Sequence, residues 1–128
     1  MKLFISLLFF ITVSFGTFAQ KILNYESVVI ITHIDSLNYY HADSLNYTCG
    51  QFKITDNEII HYGQEDSSAV VIDRKIWDSK CNCFYYYAYL KIDEYEKYVI
   101  RVNEAEHTVY VCNVADNAVL YVYFLTKP

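Results

Sequence analysis

The residues in this 128-residue chain that could carry chemistry are four cysteines, four histidines and two acidic turns. His33, His41, His61 and His107 are scattered, with no H-E-x-x-H spacing that would set two imidazoles on one helix face. His61 and His107 are expected on exposed strand faces, and His33 near a strand end. No G-x-S-x-G elbow or other nucleophile motif is present. Asp93, Glu94 and Glu96 form one acidic turn and Glu65 with Asp66 another, but neither follows the D-x-[DN]-x-[DN]-G pattern that wraps Ca²⁺. Both read as solvated turns. The expectation is a chain with no catalytic residue, no metal and no cofactor.

A second set of side chains suits binding rather than reaction. The run Cys81 to Asp93, CNCFYYYAYLKID, is strand-like, and alternate side chains of a strand point to opposite faces. Phe84, Tyr86, Ala88, Leu90 and Ile92 share one face; Tyr85, Tyr87 and Tyr89 share the other. Tyr121 and Tyr123 make a second phenol row near the C-terminus. Rows of tyrosine stack sugars or grip peptides, because each ring offers a large contact area with few torsions to freeze. They also arise from ordinary cross-strand packing, and a third possibility is that they line a barrel interior. Tyr85, Tyr87, Tyr89, Tyr121 and Tyr123 are therefore the candidate ligand-binding residues.

The elements that must position these side chains are strands. Ser27 to Asp35 is a β-branched run, preceded by a polar lead-in from Gln20 to Glu26. Asp35-Ser-Leu-Asn-Tyr39 is then repeated as Asp43-Ser-Leu-Asn-Tyr47, whose turn-forming residues suggest a long hairpin or an extended loop. Short apolar runs alternate with turn signals from Gln51 onward: Gln51 to Ile54, Glu58 to Tyr62, Ala69 to Trp77, Phe84 to Ile92, Lys97 to Asn103, His107 to Val114 and Ala118 to Thr126. Tyr98, Ile100 and Val102 face inward. No segment shows a helical period, and the sole proline, Pro128, interrupts no strand. This pattern predicts an all-β fold, a single antiparallel meander of about seven to nine strands closed as a small barrel or stacked as a sandwich.

The N-terminus reads as an export leader. Lys2 supplies a short positive region, Leu3 to Phe18 is largely apolar, and Thr17-Phe18-Ala19 places small residues for cleavage before Gln20. The run is too short and too broken to read as a spanning helix, so no stable membrane span is expected once it is removed. Its Phe-Ala-Gln ending resembles the leaders of exported proteins of the Bacteroidetes, which implies a bacterial protein that is periplasmic or secreted. Residues 1–19 are thus a signal peptide and 20–128 one all-β domain. All 14 tyrosines and Trp77 belong to that domain, whereas five of the eight phenylalanines lie in the leader. Nine Lys and Arg face 15 Asp and Glu after cleavage, a balance that argues against a nucleic-acid partner.

Export also bears on the cysteines. An even count in an oxidising compartment suggests disulfides, and Cys49, Cys81, Cys83 and Cys112 allow three connectivities. Joining Cys81 to Cys83 closes a very short ring, so the arrangement that contains it ranks last. If the strands of Cys83 and Cys112 flank a common neighbour, they stand about 9–10 Å apart, beyond disulfide reach. A four-cysteine zinc site lacks the paired knuckles it would need.

The function these features imply is a non-enzymatic binding or interaction module whose partner is a protein, a sugar or a small apolar ligand. One form is a lipocalin-like barrel around an apolar ligand, a likeness of architecture alone, since no G-x-W motif stands near the first strand. The alternative is a periplasmic or secreted inhibitor or immunity-type protein directed at a basic hydrolase, to which an acidic chain is suited.

Overall fold

The computed structural model describes residues 20–34, 39–116 and 118–127. The expected leader, residues 1–19, lies outside the described residues, as do 35–38 of the first Asp-Ser-Leu-Asn copy. Nine strands succeed one another: β1 (Lys21–Ile34), β2 (Tyr39–Ala42), β3 (Gly50–Ile54), β4 (Glu58–Tyr62), β5 (Ser67–Asp78), β6 (Cys83–Leu90), β7 (Asp93–Asn103), β8 (Thr108–Asn113) and β9 (Val119–Leu125). From β3 to β9 each strand pairs antiparallel with the next, and β1 pairs with both β3 and β9. The result is a closed antiparallel barrel of eight strands with β2 as an extra strand.

Closure depends on β1 serving two partners. Lys21 to Tyr25 pair with Ile54 to Gly50 of β3, and Tyr25 to Thr32 pair with Leu125 to Val119 of β9. The register slips between Tyr25 and Ser27. Such a bulge bends a strand and increases its twist, which a barrel wall requires. The strand therefore begins at Lys21, several residues before the β-branched run in which local pattern alone would start it. Leu23 and Tyr25 alternate into the core while Asn24 and Glu26 do not share that face; the lead-in is a strand with one buried side. The second leg of the hairpin returns along β1. Beyond β2 it bonds backbone to backbone at Asp43 with Ile30 and at Asn46 with Val28, placing the second Asp-Ser-Leu-Asn-Tyr copy on the outgoing strand.

The interior is filled by one face of each strand. Leu23, Tyr25, Phe52, Ile54, Ile59, Val70, Tyr86, Ala88, Ile100, Val102, Val109 and Leu125 form a continuous buried cluster. At about 25 cal/mol per Å² of apolar surface removed from water, this cluster dominates the stability of a chain with little else to bury. In β6 the inward row is Phe84, Tyr86, Ala88 and Leu90, the aliphatic side of the Cys81–Asp93 run. Asp93, read from the sequence as the start of a turn, instead starts β7; the turn is Lys91-Ile92.

The cysteines depart from expectation. Cys81 and Cys83 are joined as a disulfide, while Cys49 and Cys112 are free thiols. Asn82 between the bonded pair takes the left-handed backbone (φ 52°), a conformation asparagine tolerates better than most residues. The fold-back brings the two Cα atoms to 5.3 Å, against about 6.7 Å for alternate residues of an extended strand. The chain around them is pinned by Asn103 Nδ2 donating to the Cys81 carbonyl (3.2 Å) and by the Lys80 amide donating to Asp78 (3.0 Å). Cys83 and Cys112 do flank a common neighbour, β7.

Candidate functional site

The barrel is packed at one end and hollow at the other. Toward the ends of β4, β6 and β8, and the starts of β5, β7 and β9, the inward side chains enclose a cavity of about 610 Å³. This is within the range that accommodates a drug-sized ligand. Its wall is mostly apolar, with Phe52, Ile59, Val70, Leu90, Ile100, Val111 and Val119 contributed by seven different strands. Tyr98, Tyr121 and Tyr123 add phenol rings, and Ile92 stands 91% exposed at the lip.

An aromatic cluster forms one side of the cavity, lined by Phe52, His61 and Tyr123. Tyr25 and His61 share a hydrogen bond of 2.7 Å between the phenol oxygen and Nε2. Phe52 stacks on the imidazole at 4.8 Å and 19°, and Tyr123 meets Phe52, Tyr25 and His61 edge-on. Burial holds the His61 imidazole below its ordinary value, an effect the Asp66 carboxylate partly opposes. Burial, helped by the phenols of Tyr25 and Tyr121, pushes Tyr123 up to about 12, so its hydroxyl stays protonated. His61 thus departs from the exposed position expected of it. It shares the inward side of β4 with Ile59, two residues away, and strand parity carries it into the barrel. His107, also expected on a strand face, lies in the turn between β7 and β8 with φ 56°.

At the mouth the polar groups converge. Glu96 Oε1 accepts from the Tyr98 hydroxyl at 2.8 Å and from Asn113 Nδ2 at 3.1 Å. Asn113 Oδ1 in turn accepts from the Ala115 amide at 2.9 Å, and its carbonyl from the Asp116 amide at 3.2 Å. One asparagine therefore fixes both the carboxylate of β7 and the turn that carries Asp116. Burial first, and the bond to Glu96 second, raise the Tyr98 phenol above its usual range, in keeping with its role as donor. Asn113 and Asp116 did not stand out in the sequence, and Glu96, expected in a solvated acidic turn, lies instead half-buried in β7. Glu96 shares strand parity with Tyr98 and Ile100, a signal that becomes readable once β7 is begun at Asp93.

The five candidate tyrosines fall on opposite sides of the wall. Tyr121 and Tyr123 line the cavity. Tyr85, Tyr87 and Tyr89 alternate with the inward row of β6 and so lie on the outer surface, half-buried. There Arg74 sits 4.6 Å over the Tyr87 ring, and Arg101, opposite Tyr85 in the ladder, sits 3.9 Å over Tyr110. A bulge between Ile72 and Arg74 turns the arginine to this face. Among the four cysteines, Cys49 is exposed, Cys112 is half-buried with its thiol pushed up by burial, and neither lines the cavity.

Among the described residues no group of three His, Cys, Asp or Glu stands close enough to hold a metal ion. Comparison with protein-family models, with curated proteins and with solved structures finds no match for this chain.

Proposed function

We propose that this protein is an exported, non-enzymatic carrier or sensor that takes a small, largely apolar ligand into the hollow end of its barrel. The cavity carries the reading. Beside the continuous core, and sharing Phe52, Ile59, Val70 and Ile100 with it, lies a space of about 610 Å³ lined by aliphatic and phenolic side chains. Protein interiors are otherwise close-packed, and leaving such space unfilled costs stability. Charged side chains such as Lys53, Arg74, Lys97 and Arg101 punctuate the outer wall, which suits a barrel in water; a barrel in lipid carries its apolar band outside. Export is supported by the leader-like N-terminus.

Titration with Nile red, an uncharged dye that brightens in apolar surroundings, tests this reading. A saturable signal at one dye per chain is expected, abolished by Val111→Trp, which fills the cavity from β8. Failure to saturate, or full binding by the filled variant, would overturn it.

A second reading, a protein-interaction module, is favoured by the outer wall. Tyr85, Tyr87 and Tyr89 with Arg74 and Arg101 have the tyrosine-arginine composition of interface hot spots. This wall is locally cationic, so an inhibitor of a basic hydrolase would use another face. Tyr87→Ser separates the two readings: dye uptake survives it if the cavity is the working site.

A further inference from the structure

Resting on the cavity reading, we infer that the ligand is an organic cation: an ammonium head held at the mouth by Glu96, on an apolar body lodged among the aromatic rings of the barrel. The cavity wall carries two carboxylates, Glu96 and Asp116, and no lysine or arginine. Its one imidazole, His61, is engaged by Tyr25 through a hydrogen bond at Nε2. A carboxylate or phosphate ligand would therefore meet like charge at the entrance and find no cation inside.

A neutral apolar ligand fits less well than a cation. Glu96 is half-buried, and the two partners that fix it, Tyr98 and Asn113, are both neutral donors to the same oxygen, Oε1. Among the described residues Glu96 forms no ion pair, whereas Glu58 and Glu104 are paired with Lys91 and Lys21. A purely apolar guest would strip water from an uncompensated carboxylate, which is costly. An ammonium would replace that water with a charge-assisted hydrogen bond to Oε2. Tyr98, bonded to Glu96, and Tyr121 near it lie in the same wall, and the faces of aromatic rings attract cations. The carboxylate and the phenol rings beside it thus favour the same charge by two different means.

The test is calorimetry on the mature chain with three ligands of matched body: 4-phenylbutylamine, 4-phenylbutanol and 4-phenylbutyrate. The amine is expected to bind about tenfold or more tightly than the alcohol, the range of a hydrogen bond to a charged group, with the carboxylate weakest. Glu96→Gln keeps an acceptor for Tyr98 and Asn113 and should bring the amine-to-alcohol ratio close to one. Glu106→Gln, in the turn at the packed end, makes the same change in net charge and should leave that ratio as it is. Equal binding of all three ligands, or strongest binding of the carboxylate, would overturn the head-group assignment and leave the cavity reading standing. A ratio that survives Glu96→Gln would overturn the assignment to Glu96. If none of the three binds and Nile red also fails to enter, the cavity reading falls and this inference falls with it.

Discussion

At the scale of single residues, the aromatic side of the cavity turns on a glycine. Gly50 stands opposite Tyr25 in the β1–β3 ladder, and a Cβ there would fall inside the Tyr25 hydroxyl and within 2.6 Å of the Tyr62 carbonyl oxygen. Glycine is required because the phenol must cross the β3 backbone to reach His61 Nε2. Gly50→Ala should cost about 2 kcal/mol by overpacking, measured by urea unfolding. His61 makes a second prediction. Its folded value lies below the ordinary 6.5 because burial disfavours the imidazolium. The unfolded chain therefore takes up the proton first as pH falls. Stability from this group is complete above about pH 6.5 and is lost as pH drops toward the folded value. His61→Gln should flatten the fall in unfolding free energy between about pH 7 and pH 5 relative to the parent chain. An unchanged slope would mean that the imidazole titrates freely.

At the scale of elements, period-two alternation makes much of the fold readable. The odd-even split of β6 and the inward row Tyr98, Ile100 and Val102 result from side chains pointing alternately in and out, and the antiparallel order of the last four strands from the short turns that join them. Alternation fails where the backbone breaks phase. The bulges between Tyr25 and Ser27 and between Ile72 and Arg74 each shift the parity of the residues beyond them, and no residue in either stretch announces this. Choosing between barrel and sandwich needs the pairing of β1 with β9, a contact between the two ends of the sequence that no local pattern encodes. The cavity is hidden for the same reason, since its wall draws single residues from strand after strand. The disulfide is misjudged from sequence because nothing there shows that Asn82 adopts the left-handed backbone. Tryptic digestion of the unreduced chain tests that pairing. Cleavage after Lys80 and Lys91 should release residues 81–91 as a lone peptide, lighter than its reduced form by a pair of hydrogens. Recovery of this peptide linked to one containing Cys49 or Cys112 would refute it.

At the scale of the whole molecule, packing and function divide the barrel between them. Val109 and Val111 are two residues apart on the inner face of β8, yet Val109 is 1% exposed in the packed end while Val111 borders the cavity. Truncation of a side chain costs most where no space adjoins it. Val109→Ala should cost about 2 kcal/mol and Val111→Ala under about 1 kcal/mol in denaturant titrations. Equal costs would mean that the cavity end is as tightly filled as the other. Phe52, Ile59, Val70 and Ile100 serve both the buried core and the cavity wall, whereas Glu96, Val111 and Tyr121 border the cavity without belonging to that core, so variants at the latter three should change folding least.

The double duty of β1 sets the order in which this molecule can be completed. This strand precedes every strand it pairs with, but the strand that satisfies its far edge, β9, follows all the other described strands. Until Val119 to Leu125 dock, a long row of amides and carbonyls on β1 has no neighbour, and the hydrophobic lining is open along a seam. The barrel is therefore locked by one seam, the docking of its ninth strand on its first.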